Sequence, residues 1–254
     1  MNIWMRLFVC ILPLLLPMMA SADEAWMFKA GFMTLDARGS FASPAGGLAG
    51  TPIDVDSTIR LGRSNGMTLE GAIQFGDVRA SLNYFPFDFS GSGQLSAPVQ
   101  YNGLTFSAGD AVDARFKADV FDASLTYYLL NVDDIPTRMQ FGVEAAVKVV
   151  SASSTLEDRT TGVSRTVSTS LPIPTLGARG RLAISDLVGL TGRAGYMGYA
   201  GNHFLDSEVQ LEFSPLPTAG IYAGYRIVDL KVDRSGLLLN HTVSGPFVGG
   251  FIRF

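Results

Sequence analysis

From Met139 to Val149 the chain alternates strictly, with Met139, Phe141, Val143, Ala145, Val147 and Val149 on one face and Gln140, Gly142, Glu144, Ala146 and Lys148 on the other. A period of two marks a β-strand with one apolar and one polar face. The pattern recurs throughout. Met67, Leu69, Gly71, Ile73 and Phe75 oppose Thr68, Glu70, Ala72 and Gln74, and Leu176, Ala178, Gly180, Leu182 and Ile184 oppose Gly177, Arg179 and Arg181. Ten segments of this kind lie between Trp26 and Phe254. A chain made only of half-apolar strands must cover those apolar faces, either against each other or against lipid.

The connections punctuate the strands. Gly76-Asp77 reads as a two-residue turn, and Asn102-Gly103 sits between alternating residues as a hairpin that caps a long excursion between the third and fourth strands. Pro172 and Pro174 cannot donate to a ladder and mark the entrance of the sixth strand. Polar residues 157–162 and 236–240 read as loops, which makes the connections after strands one, three, five and nine long and those after two, four, six and eight short. The brief link at Gly201-Asn202 keeps an eight-stranded count open.

The N-terminus has the form of an export signal: Arg6, an apolar run from Leu7 to Ala20, and the small-residue site Ala20-Ser21-Ala22. The expected organisation is a cleaved segment 1–22 and one domain over 23–254. Cys10, the sole cysteine, falls in the cleaved part, so the mature chain is expected to have neither disulfide nor thiolate-bound zinc. Without Arg6, 18 basic side chains face 23 acidic ones, a net charge near −5 that disfavours nucleic acid as a partner. No stretch after residue 22 is apolar enough for a transmembrane helix.

Alternation alone does not say which face is outside; the composition of the faces does. The apolar rows hold Gly71, Ala80, Ala145, Gly180, Gly192, Ala194 and Ala223, which fill a protein core poorly but lie comfortably against acyl chains. Aromatics near strand ends (Trp26, Tyr84, Tyr127, Tyr225, Phe254) suit interfacial girdles. The expected fold is therefore all-β, an antiparallel up-and-down transmembrane β-barrel of about ten strands. Its polar rows, Lys29, Glu70, Arg79, Glu144, Lys148, Arg179, Arg181, Arg193, Glu208, Glu212, Arg226 and Arg253, then point inward. Arg179, Arg181 and Arg193 are expected to pair with Glu208 and Glu212 on neighbouring strands. That network reads either as a plug satisfying buried charge or as a polar conduit for a small solute.

The chain ends Phe247-Val248-Gly249-Gly250-Phe251-Ile252-Arg253-Phe254, an amphipathic strand stopping on an aromatic residue. With the leader, the alternating strands and the loop asymmetry, this ending resembles small bacterial outer-membrane β-barrels of the OmpW/OmpX-like kind, across the whole of 23–254. The resemblance implies residence in the outer membrane among its lipids, with the barrel-assembly machinery as a partner that reads the last strand through Phe254. It also implies lateral passage of small hydrophobic solutes, with an opening expected where Pro172 and Pro174 interrupt the ladder between strands five and six. A narrow channel or small-solute transporter is the leading functional expectation. The alternatives are a plugged surface-interaction barrel and an outer-membrane lipid-modifying enzyme or protease using His203 or His241. Those two histidines belong to outer loops that could approach each other, near Asp206, Ser207, Asp233 and Ser235. No lipase or protease motif accompanies them, so no catalytic residue is assigned and the chain is expected not to be an enzyme. No cofactor is expected, and Asp54, Asp56, Asp110 and Asp113 read as solvated loop acids rather than a metal site.

Overall fold

A computed structural model describes residues 26–42, 53–54, 58–132, 138–199, 201–234 and 237–254. The leader 1–22, with Cys10, lies outside the described residues. Thirteen strands follow in chain order: β1 (Trp26–Ala42), β2 (Ile53–Asp54), β3 (Ser64–Phe75), β4 (Val78–Gln94), β5 (Val99–Tyr101), β6 (Leu104–Phe106), β7 (Ala111–Val132), β8 (Met139–Asp158), β9 (Ser164–Ala183), β10 (Val188–Tyr199), β11 (Asn202–Leu216), β12 (Ala219–Arg234) and β13 (Leu237–Arg253). Ten of them form the wall, each antiparallel to its neighbour in sequence, and β13 closes the circle on β1 from Met27↔Arg253 to Ala42↔Leu238. Trp26 and Phe254 exchange backbone hydrogen bonds at 3.0 and 2.9 Å, so the chain's last residue seals the seam. The count is ten, not eight. Closure leaves no edge along the seam, as a sheet in hydrocarbon requires.

Leu82, Leu125, Leu176, Leu211, Ile221 and Val248 face out and are 51–73% exposed, a density of bare aliphatic surface that only lipid can cover. Both ends of the wall, Trp26 and Phe254, lie with the short turns Gly76-Asp77 and Pro217-Thr218. That end is periplasmic by the asymmetry of such barrels. The opposite end projects beyond the apolar belt, chiefly through β4, β7, β8 and β9.

The projection departs from the sequence expectation. The connections after the fifth and ninth wall strands are short, because β8, β9, β12 and β13 run on through residues that read as loop. Hydroxyl residues sustain the pairing of β8 with β9 there: Ser151 meets Ser170 at 3.1 Å and Thr155 meets Thr166 at 2.8 Å on the outer face, while Leu156 is buried inside. The Asp158 carboxyl accepts from the Thr161 hydroxyl and the Thr160 amide, which hold it below its ordinary pKa and close the β8–β9 turn. Asn102 and Gly103 adopt positive φ (44° and 77°), as a tight hairpin turn demands. Yet β5 and β6 form a sheet of their own and fold back inside the projection. Tyr101 donates to the Ser154 carbonyl (2.9 Å) and Asn102 to that of Thr166 (3.2 Å). Val99, Tyr101 and Phe106 need cover, and they find it against Ile59, Val112 and Leu156.

Near the seam, inward aromatics lie across glycines. The Tyr222 ring covers the cross-strand pair Gly31↔Gly249, where a Cβ on either would approach the Tyr222 hydroxyl to 2.6 or 2.5 Å. Gly249→Ala is expected to cost about 1–3 kcal/mol by overpacking, measured by guanidinium unfolding in lipid vesicles. Gly250→Ala, which faces out with its nearest neighbour at 3.5 Å, should leave the midpoint nearly unchanged.

Candidate functional site in the barrel interior

Period two on ten strands sends one charged residue after another into a space only a few side chains wide. Two linked clusters result. In the periplasmic half, Lys29 donates to Glu212 (2.9 Å), Arg79 to Glu70 (3.1 Å) and Arg179 to Glu144 (3.1 Å), with Arg181 3.3 Å from Glu212. Deeper in the barrel, Arg226 grips Asp206 with two bonds of 2.9 and 2.7 Å, and Lys148 lies between Asp206 (2.7 Å) and Asp122 (2.5 Å). Arg193 joins the clusters through Asp122 (2.9 Å), Glu208 (3.0 Å) and Glu144 (3.8 Å). Arg193 and Arg179 are themselves cross-strand neighbours. Two like charges side by side are tolerable only because these carboxylates surround them.

The pairing is partly as the sequence suggests. Arg193 meets Glu208 and Arg181 meets Glu212, but Arg179 turns the other way, to Glu144 and Glu70 (3.6 Å). Asp122, absent from the expected polar rows, and Asp206, expected beside the outer histidines, both belong to this network. Their phase could have found both: each alternates with outward apolar residues, Phe121 and Ala123 for the first, Leu205 for the second.

Above the charges the interior turns apolar. Arg226 stacks on Phe85, 3.5 Å from the ring centroid, and Phe87, Phe89, Phe204, Ile173 and Val228 continue the layer. The β5–β6 hairpin and its core pack inside the outer end against β7, β8 and β9. Among the described residues, the interior cavities bordered by these charges measure only about 20 and 10 Å³. Each has room for roughly one water. A furrow of about 1090 Å³, bordered by Trp26, Phe28, Leu82, Leu125, Leu176 and Tyr196, belongs to the lipid-facing side.

Pro172 and Pro174 stand in the middle of β9, not at its entrance, and the ladder to β8 passes them unbroken as Val149↔Pro172 and Val147↔Pro174. The break is on the other side. Pairing of β9 with β10 ends at Leu176↔Tyr196, so, among the described residues, 164–175 have β8 alone for a partner strand. Ala183 donates its N–H toward β8 and Ile184 toward Val188 at the start of β10, which puts even-numbered positions of β9 on the β10 side. The two prolines therefore lack their donors where no strand is present to receive them, which is where an edge accepts proline. The wall is notched between β9 and β10.

The histidines do not meet. His203 faces outward, its Nε2 3.2 Å from Asp229, which also accepts from Thr242 (3.0 Å). His241 faces inward, buried and stacked on Phe116 with centroids 5.8 Å apart. The sheet separates them. The side chains of Asp233 and Ser235 lie outside the described residues. Asp113 pairs with Arg159 (2.6 Å), which holds its carboxyl below the ordinary range, and Asp110 accepts from the Ser107 amide. No group of three His, Cys, Asp or Glu among the described residues is arranged to hold a metal ion.

A closed ten-strand wall, an apolar belt facing lipid and a charged, filled interior define a transmembrane β-barrel of the outer-membrane type. Similarity of fold agrees. The outer-membrane protease OmpT from Escherichia coli superposes with a TM-score of 0.62 at 12% identity, over 93% of this chain and 99% of that one. Ail, the attachment invasion locus protein of Yersinia pestis, aligns over 91% of this chain and 100% of its own, with a TM-score of 0.37 at 12% identity. Neisserial surface protein A aligns over 90% and 97%, at 0.36 and 10%. No family model and no curated protein matches the sequence.

Proposed function

We propose that this chain is a plugged outer-membrane barrel that works at the cell surface, rather than a channel. The observation that carries this reading is the filled interior: a salt-bridged layer spanning the lumen, an aromatic layer above it, and cavities of only about 20 and 10 Å³ bordered by the charges. A solute threading the lumen would have to break several buried ion pairs, each expensive to leave unmatched. The projection of β4, β7, β8 and β9, stiffened by the β5–β6 hairpin, instead offers a rigid outer surface. Purified protein in planar bilayers is expected to give no stepwise conductance. Cells displaying it should lose surface binding when residues 43–65 and 95–110 are shortened. Defined unit conductance from the wild-type barrel would overturn the reading.

The notch beside β9 favours a second reading, sideways passage of a small hydrophobic solute. It places the opening between β9 and β10, with Ile173 and Met197 on its inner side. Replacing Pro172 and Pro174 together would restore edge donors, and unchanged solute uptake would remove this reading. A hydrolase, the class of OmpT, finds no support in the histidines, which lie on opposite faces of the wall. For assembly, we infer that the closing strand is recognised through Phe254. Deleting Phe254 is expected to lower the amount of barrel in outer-membrane fractions severalfold, while the protein refolded in vitro, short of two backbone hydrogen bonds to Trp26, loses only about 1–3 kcal/mol of stability.

A further inference from the structure

From Ser164 to Pro172 every residue of β9 except Val167 is exposed, although β8 pairs with all of them on one side. Among the described residues, the other side is open. β10 stops at Tyr199, three residues past its last pair with β9, and Tyr199 is 79% exposed at the floor of the notch. Even-numbered positions face this gap, so Thr166, Ser168 and Ser170 direct their N–H groups into it, and Ser168, Ser170 and Pro172 their carbonyls. The Thr166 carbonyl points the same way and already accepts from the side chain of Asn102, on the β5–β6 hairpin. A row of strand groups without a partner strand is a template for another strand, and proteins block such edges with proline or charge. Here the block is confined to one stretch. Pro172 and Pro174 remove the donors beside the end of β10, whereas 164–170 has no proline and Arg165 as its sole charge. The two faces of this edge also differ. Thr166, Ser168 and Ser170 form a hydroxyl row outside, while Val167 and Leu171 continue the inward row of buried Ile173. Val167 packs against the hairpin core, but Leu171 is left 37% exposed.

We propose that the open edge of β9 is a docking site for an extended peptide segment of another protein at the cell surface, added to the sheet as one more strand along residues 166–172. This rests on the surface-binding reading above and names the kind of partner. Backbone groups supply the attraction, because an extended peptide offers alternating carbonyls and N–H groups in the spacing that the edge presents, which a lipid or a saccharide does not. Side chains set the pattern. A strand laid here puts every second residue on the inner face beside Leu171, where an apolar side chain covers it, and the others beside the outer hydroxyl row. The partner segment therefore alternates apolar with small polar residues, has no proline at positions bonded to β9, and is about seven residues long to match 166–172 at the same rise per residue.

The test uses the whole barrel in lipid nanodiscs, with the end-blocked, labelled peptide Thr-Val-Ser-Leu-Thr-Val-Ser as the probe. Saturable binding is expected, and the peptide should slow hydrogen exchange at the Thr166, Ser168 and Ser170 amides severalfold. Ser168→Pro with Ser170→Pro extends the existing proline row, spares the N–H groups that bond β8, and should abolish binding. Ser168→Ala with Ser170→Ala keeps the donors and should keep the binding. If the proline variant fails to fold, the probe N-methylated at one or the other alternate set of residues decides, and one of the two versions should lose binding. Absence of saturable binding, undiminished binding by the proline variant or by both methylated probes, or a dimer of this chain joined through the edge would overturn the proposal. Cells that carry the proline variant and keep their surface binding would also overturn it while leaving the surface reading intact. Unit conductance, by contrast, tests that reading and not the edge.

Discussion

Asp206→Ala is expected to destabilise the barrel by about 3–5 kcal/mol, the range for stripping one member from a buried ion cluster. Asp206 accepts both bonds of Arg226 and lies 2.7 Å from Lys148, so its loss leaves two cations short of a partner where no bulk water can replace it. The pair itself need not be stabilising. Its members were taken out of water at a large desolvation penalty, and the attraction between them roughly offsets that penalty. Removing both ends together, as Asp206→Leu with Arg226→Met, should therefore cost much less than Asp206→Ala alone. The measurement is guanidinium unfolding in lipid vesicles followed by emission from Trp26, the one tryptophan of residues 23–254. A single variant as stable as wild type would mean that the lumen is wet and the plug loose.

The second large effect is on the other side of the wall. Leu125→Arg puts a charge in the middle of the lipid-facing belt, where Leu125 sits between Ala80 and Ala145 on the neighbouring strands. The expected penalty is about 2–4 kcal/mol for a cation near the bilayer midplane. Ser153→Arg, on the outer face of the projection beyond the belt, should cost almost nothing. Equal effects at the two sites would mean that the belt does not face lipid.

These two variants separate what was legible in the sequence from what was not. The period-two row at 139–149 names the face of every residue once the strand is granted, so Val143 and Glu144 could be assigned to outside and inside without a structure. Strand ends were harder. The Ser/Thr stretches 151–155 and 164–170, on either side of the loop read at 157–162, carry too little apolar alternation to extend the strands, and only the partner strand decides that they pair. Pro172 and Pro174 were misplaced for a related reason. A proline forbids a donor on one side of one strand, and whether that side faces a neighbour depends on how far β10 extends. The histidines failed similarly: closeness in sequence to the same rim says nothing about which face each side chain takes.

Sequence by itself determined the all-β wall, the inward charges and the outward belt, because alternation is a local property carried by neighbouring residues. Tertiary structure alone decided that Arg179 meets Glu144 rather than Glu208, that Asp206 is a hub and that the wall is notched beside β9. Each of these depends on the register between strands and on distances across the barrel. A local pattern leaves those free until the last strand closes on the first.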